Sequence, residues 1–111
     1  MTGLLQVTTA TETKDQALAL AGKAVQLRLA ASAQIVGPVT SAFWHLNKFG
    51  TGEEWSAVLL TTNDRYADLE SFILANHPWQ NPQVTAVTVA VAAAQNIDWA
   101  HRALSGRSES P

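Results

Sequence analysis

The chain has 111 residues, 47% hydrophobic and only 14% charged, with a net charge of −2. That length holds one core and excludes a second. The scattered Lys and Arg residues make no basic stripe, which argues against a nucleic-acid partner. The lack of cysteine excludes disulfides, zinc–thiolate sites and thiol catalysis. So small a charged share, with four tryptophans, predicts apolar surface hidden against another copy of the chain. The first seven residues lack the basic and apolar regions of a signal peptide, and no apolar run is long enough to span a membrane. A soluble cytoplasmic protein without a membrane partner is expected.

Residues 4–9, Leu4-Leu5-Gln6-Val7-Thr8-Thr9, form a β-branched apolar run and are predicted as the first strand. Thr13-Lys14-Asp15-Gln16 fits a capping box, a hydroxyl at the N-cap with Gln three positions on. A helix is predicted from there over 13–30, with Leu18, Ala21, Val25 and Leu29 as its apolar stripe. Gly22 inside it suggests close packing on a sheet. Residues 32–44 are predicted as one long strand, bent or bulged at Gly37-Pro38 because proline cannot donate to a ladder. Gly and Asn over 47–53 suggest a hairpin loop, followed by a strand over 55–62. Asn63 or Asp64 is predicted to cap a second helix with the apolar face Tyr66, Leu69, Phe72 and Ile73. Residues 84–91 alternate strictly and predict a fourth strand. Neither of its faces is strongly polar, so both are expected to be buried. A short helix over 96–104 closes the domain, 1–104, and 105–111 is predicted as a disordered polar tail.

The order β-α-β-β-α-β plus a final helix predicts an α+β, ferredoxin-like split-βαβ domain. Two helices on one sheet face leave the other open, and oligomerisation is the simplest way to cover it. Between the second helix and the last strand lies His77-Pro78-Trp79-Gln80-Asn81-Pro82-Gln83. Its two prolines stiffen it and push the preceding residues out of the α region. A plain turn does not need so many specified residues.

Other candidate groups are weak. His45 and His101 stand outside any H-x-x-H spacing, Gly50-Thr51-Gly52 lacks the Lys-Ser/Thr of a phosphate loop, and no nucleophile constellation is evident. His77 reads either as a metal ligand or as a cap on the second helix. Glu53 and Glu54 are adjacent in a strand and face opposite ways. Trp44, Trp55 and Trp79 read as interface aromatics or as the walls of a small-molecule pocket.

Five segments in order, over about residues 7–104, resemble the CutA family of divalent-cation tolerance proteins. Arg28-Leu29-Ala30-Ala31-Ser32-Ala33-Gln34-Ile35 is similar to that family's R-L-A-A-C-x-N-I. Gly37-Pro38-Val39-Thr40-Ser41-Ala42-Phe43-Trp44 is similar to G-x-x-S-x-Y-x-W. Glu53-Glu54 with Thr61 resembles E-E…K-T, the proline-bracketed connector resembles H-P-Y-E-x-P-E, and Asn96-Ile97-Asp98-Trp99 resembles N-x-D-Y. The resemblance implies a non-catalytic homotrimer with strands continuing across subunits, an architecture similar to the PII signalling proteins. It also implies a role in copper or other divalent-cation tolerance. The implied inter-subunit cleft uses Trp44, Lys48, Glu54, Trp79, Gln80 and Gln83, with His77 as a weak ligand for a cation such as copper or zinc.

Several positions depart from the family pattern. Ser32 replaces the cysteine, Leu60 the lysine and Asn47 a glycine. Trp79, Gln80 and Gln83 replace Tyr, Glu and Glu. One thiolate and two carboxylates are lost together with a lysine that could balance them, so the cleft becomes neutral. The alternative reading is therefore a PII-like trimer whose metal-free cleft takes a small polar ligand on Gln80, Asn81 and Gln83.

Overall fold

In a computed structural model that describes residues 1–106, the chain runs β1 (Leu4–Thr11), α1 (Lys14–Gln26), β2 (Ser32–His45), β3 (Lys48–Thr62), α2 (Tyr66–Asn76), β4 (Thr85–Thr88) and α3 (Ala94–Ser105). One antiparallel sheet has the order β2-β3-β1-β4, the ferredoxin-like arrangement expected. Alternation along β1 sends Leu5 and Val7 toward α1 and α2, and Leu4 toward α3 on the opposite face. The main core joins Val7, Ala57 and Leu59 from the sheet to Leu20, Ala21 and Ala24 of α1 and Leu69 and Ile73 of α2.

The capping box forms as the sequence implies. Gln16 N–H donates to Thr13 Oγ1 at 3.1 Å, and Thr13 N–H donates to Gln16 Oε1 at 3.2 Å. The rest of α1 differs from expectation. It ends at Gln26, because Arg28 turns to φ 60° and the chain leaves the helix. Its buried face is Ala17, Leu20, Ala21 and Ala24, whereas Leu18 is 55% exposed. Alanines let α1 approach the sheet closely. Gly22 has nothing within contact of an added Cβ, so it is not the close-packed position.

The β2–β3 hairpin departs most. Both strands are long, and the turn is only Leu46-Asn47, each with positive φ, in place of a 47–53 loop. The glycines read as loop residues lie inside β3. A Cβ on Gly50 would sit 3.1 Å from the Phe43 ring, so glycine there makes room for the aromatic. The irregularity foreseen at Gly37-Pro38 is present as a register shift between Val36 and Val39, and a Cβ on Gly37 would lie 2.6 Å from the Trp55 ring.

Arg65 stands at the N-cap of α2, and no side-chain bond caps the helix there, in place of the cap expected from Asn63 or Asp64. Strand β4 is shorter than 84–91, and all four of its residues are exposed in the single chain, so the burial expected of both faces would have to come from another copy. It pairs with β1 at the edge of the sheet. Beyond Thr88 the chain departs to place Val89 and Ala92 against α3. That helix runs on to Ser105, with Gly106 as a left-handed C-cap, so these two residues are not part of a disordered tail as expected; the rest of that expectation, 107–111, lies outside the described residues.

Two arginines hold the end of α3. Arg28 Nη1 donates to Ala103 O at 2.6 Å and Arg65 Nη2 to Leu104 O at 3.0 Å. Cations at the negative end of a helix dipole satisfy carbonyls that have no partner within the helix. The α1 register predicts that Leu59→Ala, beneath it, lowers unfolding free energy by about 3 kcal/mol in urea. Leu18→Ala should change it by under about 0.5 kcal/mol. A large loss at Leu18 would contradict the assignment.

Candidate functional site

The connector turns on His77. Helix α2 ends there, with His77 N–H donating to Ile73 O at 2.9 Å and the backbone passing to an extended conformation. The imidazole then ties two segments together. Trp79 N–H donates to Nδ1 at 2.9 Å, and Nε2 lies 2.8 Å from Ala10 O. An amide can only donate, so Nδ1 is the unprotonated nitrogen and Nε2–H donates to the carbonyl. Ala10 lies two positions beyond the last β1–β4 pair, Thr8 with Thr85. The side chain thus satisfies a sheet-edge carbonyl that β4 does not reach. The Trp79 ring packs 5.3 Å from the imidazole, centroid to centroid.

His77 therefore caps α2 through its backbone, while its ring bonds β1 and the connector rather than the last helical carbonyls. Burial holds its pKa below the ordinary value, and the hydrogen bond to Ala10 O opposes this in part. Both ring nitrogens are occupied, so a cation taken at Nδ1 would have to displace the Trp79 amide.

The other expected site residues are spread along the hairpin. Trp44 is 75% exposed near its tip, edge-on to Phe49 at 6.1 Å between centroids. Lys48 is exposed opposite His45. Glu54 is half-buried, and Ser41 Oγ donates to its Oε1 at 2.7 Å. Gln80 and Gln83 are exposed, and Gln83 Nε2 donates to Thr85 Oγ1 at 3.1 Å. Phe49 and Trp55 stand about 20 Å apart along β3. Trp55 faces Thr11 near the His77 end of β1, so one chain does not bring Trp44 and Lys48 to His77 and Trp79.

Among the described residues, no three or more His, Cys, Asp or Glu side chains gather closely enough to hold a metal ion. Pro78 lines a groove of about 370 Å³ between α1 and α2, with Leu20 and Phe72 among its apolar residues and Gln16, Lys23 and Asn76 among its polar ones. Sequence reasoning missed the Ser41–Glu54 bond, although both residues lie in recognised segments, and it missed the Ala10 carbonyl entirely. A backbone acceptor leaves no trace in residue type.

The CutA1 divalent ion tolerance protein family matches residues 5–103. The chain belongs to that family. It is 23% identical over 99 residues to a probable divalent-cation tolerance protein cutA homolog of Encephalitozoon cuniculi, covering 89% of this chain and 86% of that one. Its fold is similar to the divalent ion tolerance protein CutA1 of Ehrlichia chaffeensis, with a TM-score of 0.87 at 24% identity, over 94% of this chain and 97% of the other. It is similar also to the protein described as the periplasmic divalent cation tolerance protein CutA of Archaeoglobus fulgidus, with a TM-score of 0.87 at 20% identity, over 91% and 98% of the two chains.

The imidazole geometry makes stability depend on pH. The unfolded chain takes up a proton near pH 6.5, while the folded His77 resists it because its pKa is depressed. Its contribution is complete above about pH 6.5 and declines as pH falls from there toward the depressed value. In thermal melts from pH 7.5 to 5, His77→Gln should lose less stability than the parent chain. Equal losses would show that His77 does not titrate between the two states.

Proposed function

We propose that this CutA-family protein acts in divalent-cation tolerance as a non-catalytic homotrimer, its functional cleft lying between subunits. The observation that carries this reading is the family match over nearly the whole domain. The dispersal of Trp44, Lys48, Glu54, His77 and Trp79 supports the inter-subunit part, since these residues meet only if a second copy supplies one group. Exposed Phe43, Trp44, Leu46 and Phe49 at the hairpin tip, and Val87 on β4, offer the apolar surface for that contact. A cation in this cleft, copper or zinc, would be held weakly, because the thiolate and carboxylates of the family pattern are replaced by Ser32, Gln80 and Gln83. No described helix is long and apolar enough to cross a membrane. A cytoplasmic site of action is part of the proposal, with the Archaeoglobus fulgidus relative described as periplasmic.

Exposed carboxamides at Gln80, Asn81 and Gln83 favour a second reading, a PII-like trimer that binds a small uncharged polar ligand. A thermal-shift titration with Cu²⁺, Zn²⁺ and Mg²⁺ separates the two. The first reading predicts a saturable, EDTA-reversible rise in melting temperature with Cu²⁺ or Zn²⁺, larger than with Mg²⁺. A flat response to all three cations would contradict it and turn attention to the second.

A further inference from the structure

A second candidate site lies at the other end of β1, about 20 Å along the strand from the His77 staple. There Thr62, Asp64 and Arg65 face His101, Arg102 and Leu104 of α3 across an open groove of about 300 Å³. Its lining includes two arginines and a histidine against one acidic residue. The neighbouring Thr62 hydroxyl and the Asp64 backbone amide, with smaller contributions from the charges of His101 and Arg65, hold the Asp64 pKa below the usual range.

Arg65 is fixed rather than free. Its Nη2 donates to Leu104 O at 3.0 Å, which spans the groove and leaves four of the five guanidinium N–H donors outside that bond. Arg102, exposed in the last turn of α3, also lines this groove. Two arginines lining one groove offer paired donors to an oxyanion, and their two positive charges offset the negative C-terminal end of α3 that the groove also meets. The volume falls at the small end of ligand pockets.

We propose that this groove binds a small oxyanion, a phosphate or carboxylate group, between Arg65 and Arg102, with His101 at its edge. The inference does not depend on the cation reading, since no residue of the proposed cleft lines the groove. The partner is anionic, and the site sits where α3 docks on the β3–α2 turn. Occupancy therefore also ties α3 to the domain.

The test is a titration with inorganic phosphate at constant ionic strength and pH 7, followed by ¹H–¹⁵N spectra of the amides and arginine side chains. Saturable shifts centred on Arg65, His101, Arg102 and Leu104 are expected. Arg102→Gln should weaken phosphate binding by about tenfold. Among the described residues the Arg102 side chain makes no hydrogen bond, so the variant should melt within a few degrees of the parent chain. A parallel titration with acetate reports whether a carboxylate suffices. Shifts that fail to saturate, that spread evenly over the protein, or that persist unchanged in Arg102→Gln would overturn the proposal.

Discussion

The β2–β3 hairpin is longer than the sheet that supports it. Strands of 14 and 15 residues stand beside a β1 of 8 and a β4 of 4, so the distal half of the hairpin runs past every other element. Its tip carries Phe43, Trp44, Leu46 and Phe49 into solvent. Backbone pairing and the Trp44–Phe49 ring contact can keep the arm extended, but they cannot hide its apolar surface. The same shortage of cover extends to the second sheet face, where α3 reaches only Leu4, Leu60, Val89 and their neighbours. A chain with 14% charged residues has little polar surface with which to compensate. Association with further copies, as in the proposed trimer, would cover the surface that this mismatch in length leaves open.

His77 answers a related shortage at the other edge of the sheet. Strand β4 stops short of Ala10, and an unpaired carbonyl at a sheet edge is costly unless something donates to it. The imidazole does so while receiving the Trp79 amide, so one neutral side chain fixes both the exit of α2 and the course of the proline-bracketed segment. A histidine suits this position because its neutral form has one donor and one acceptor on opposite sides of a rigid ring. The same geometry makes the staple sensitive to protonation and puts the imidazole in competition with any cation.

Much of this was legible in local sequence. Thr13 and Gln16 announced the start of α1, Leu69 and Ile73 gave the inner face of α2, and the alternation of strands and helices led to the ferredoxin-like order. Errors came where tertiary packing overrode local pattern. Ala21, Val25 and Leu29 of the expected stripe do face the core, but Leu18 kept the spacing and points outward, because α1 sets Ala17, Leu20 and Ala24 against the sheet. Its end depends on Arg28 adopting positive φ, which a non-glycine residue does not advertise. Gly50 and Gly52 looked like loop residues because the aromatic ring of Phe43 that needs the space at Gly50 lies across the hairpin. The candidate site was legible only as a set of names. One chain separates Trp44 and Lys48 from His77, and spacing in sequence carries no information about a second copy.

The most direct measurement is the solution mass of the purified protein by light scattering at micromolar concentration. A homotrimer gives three times the 11.9 kDa of the single chain. A mass of one chain would leave the hairpin tip and β4 bare in solution, and would contradict both the trimer and the cleft between its subunits.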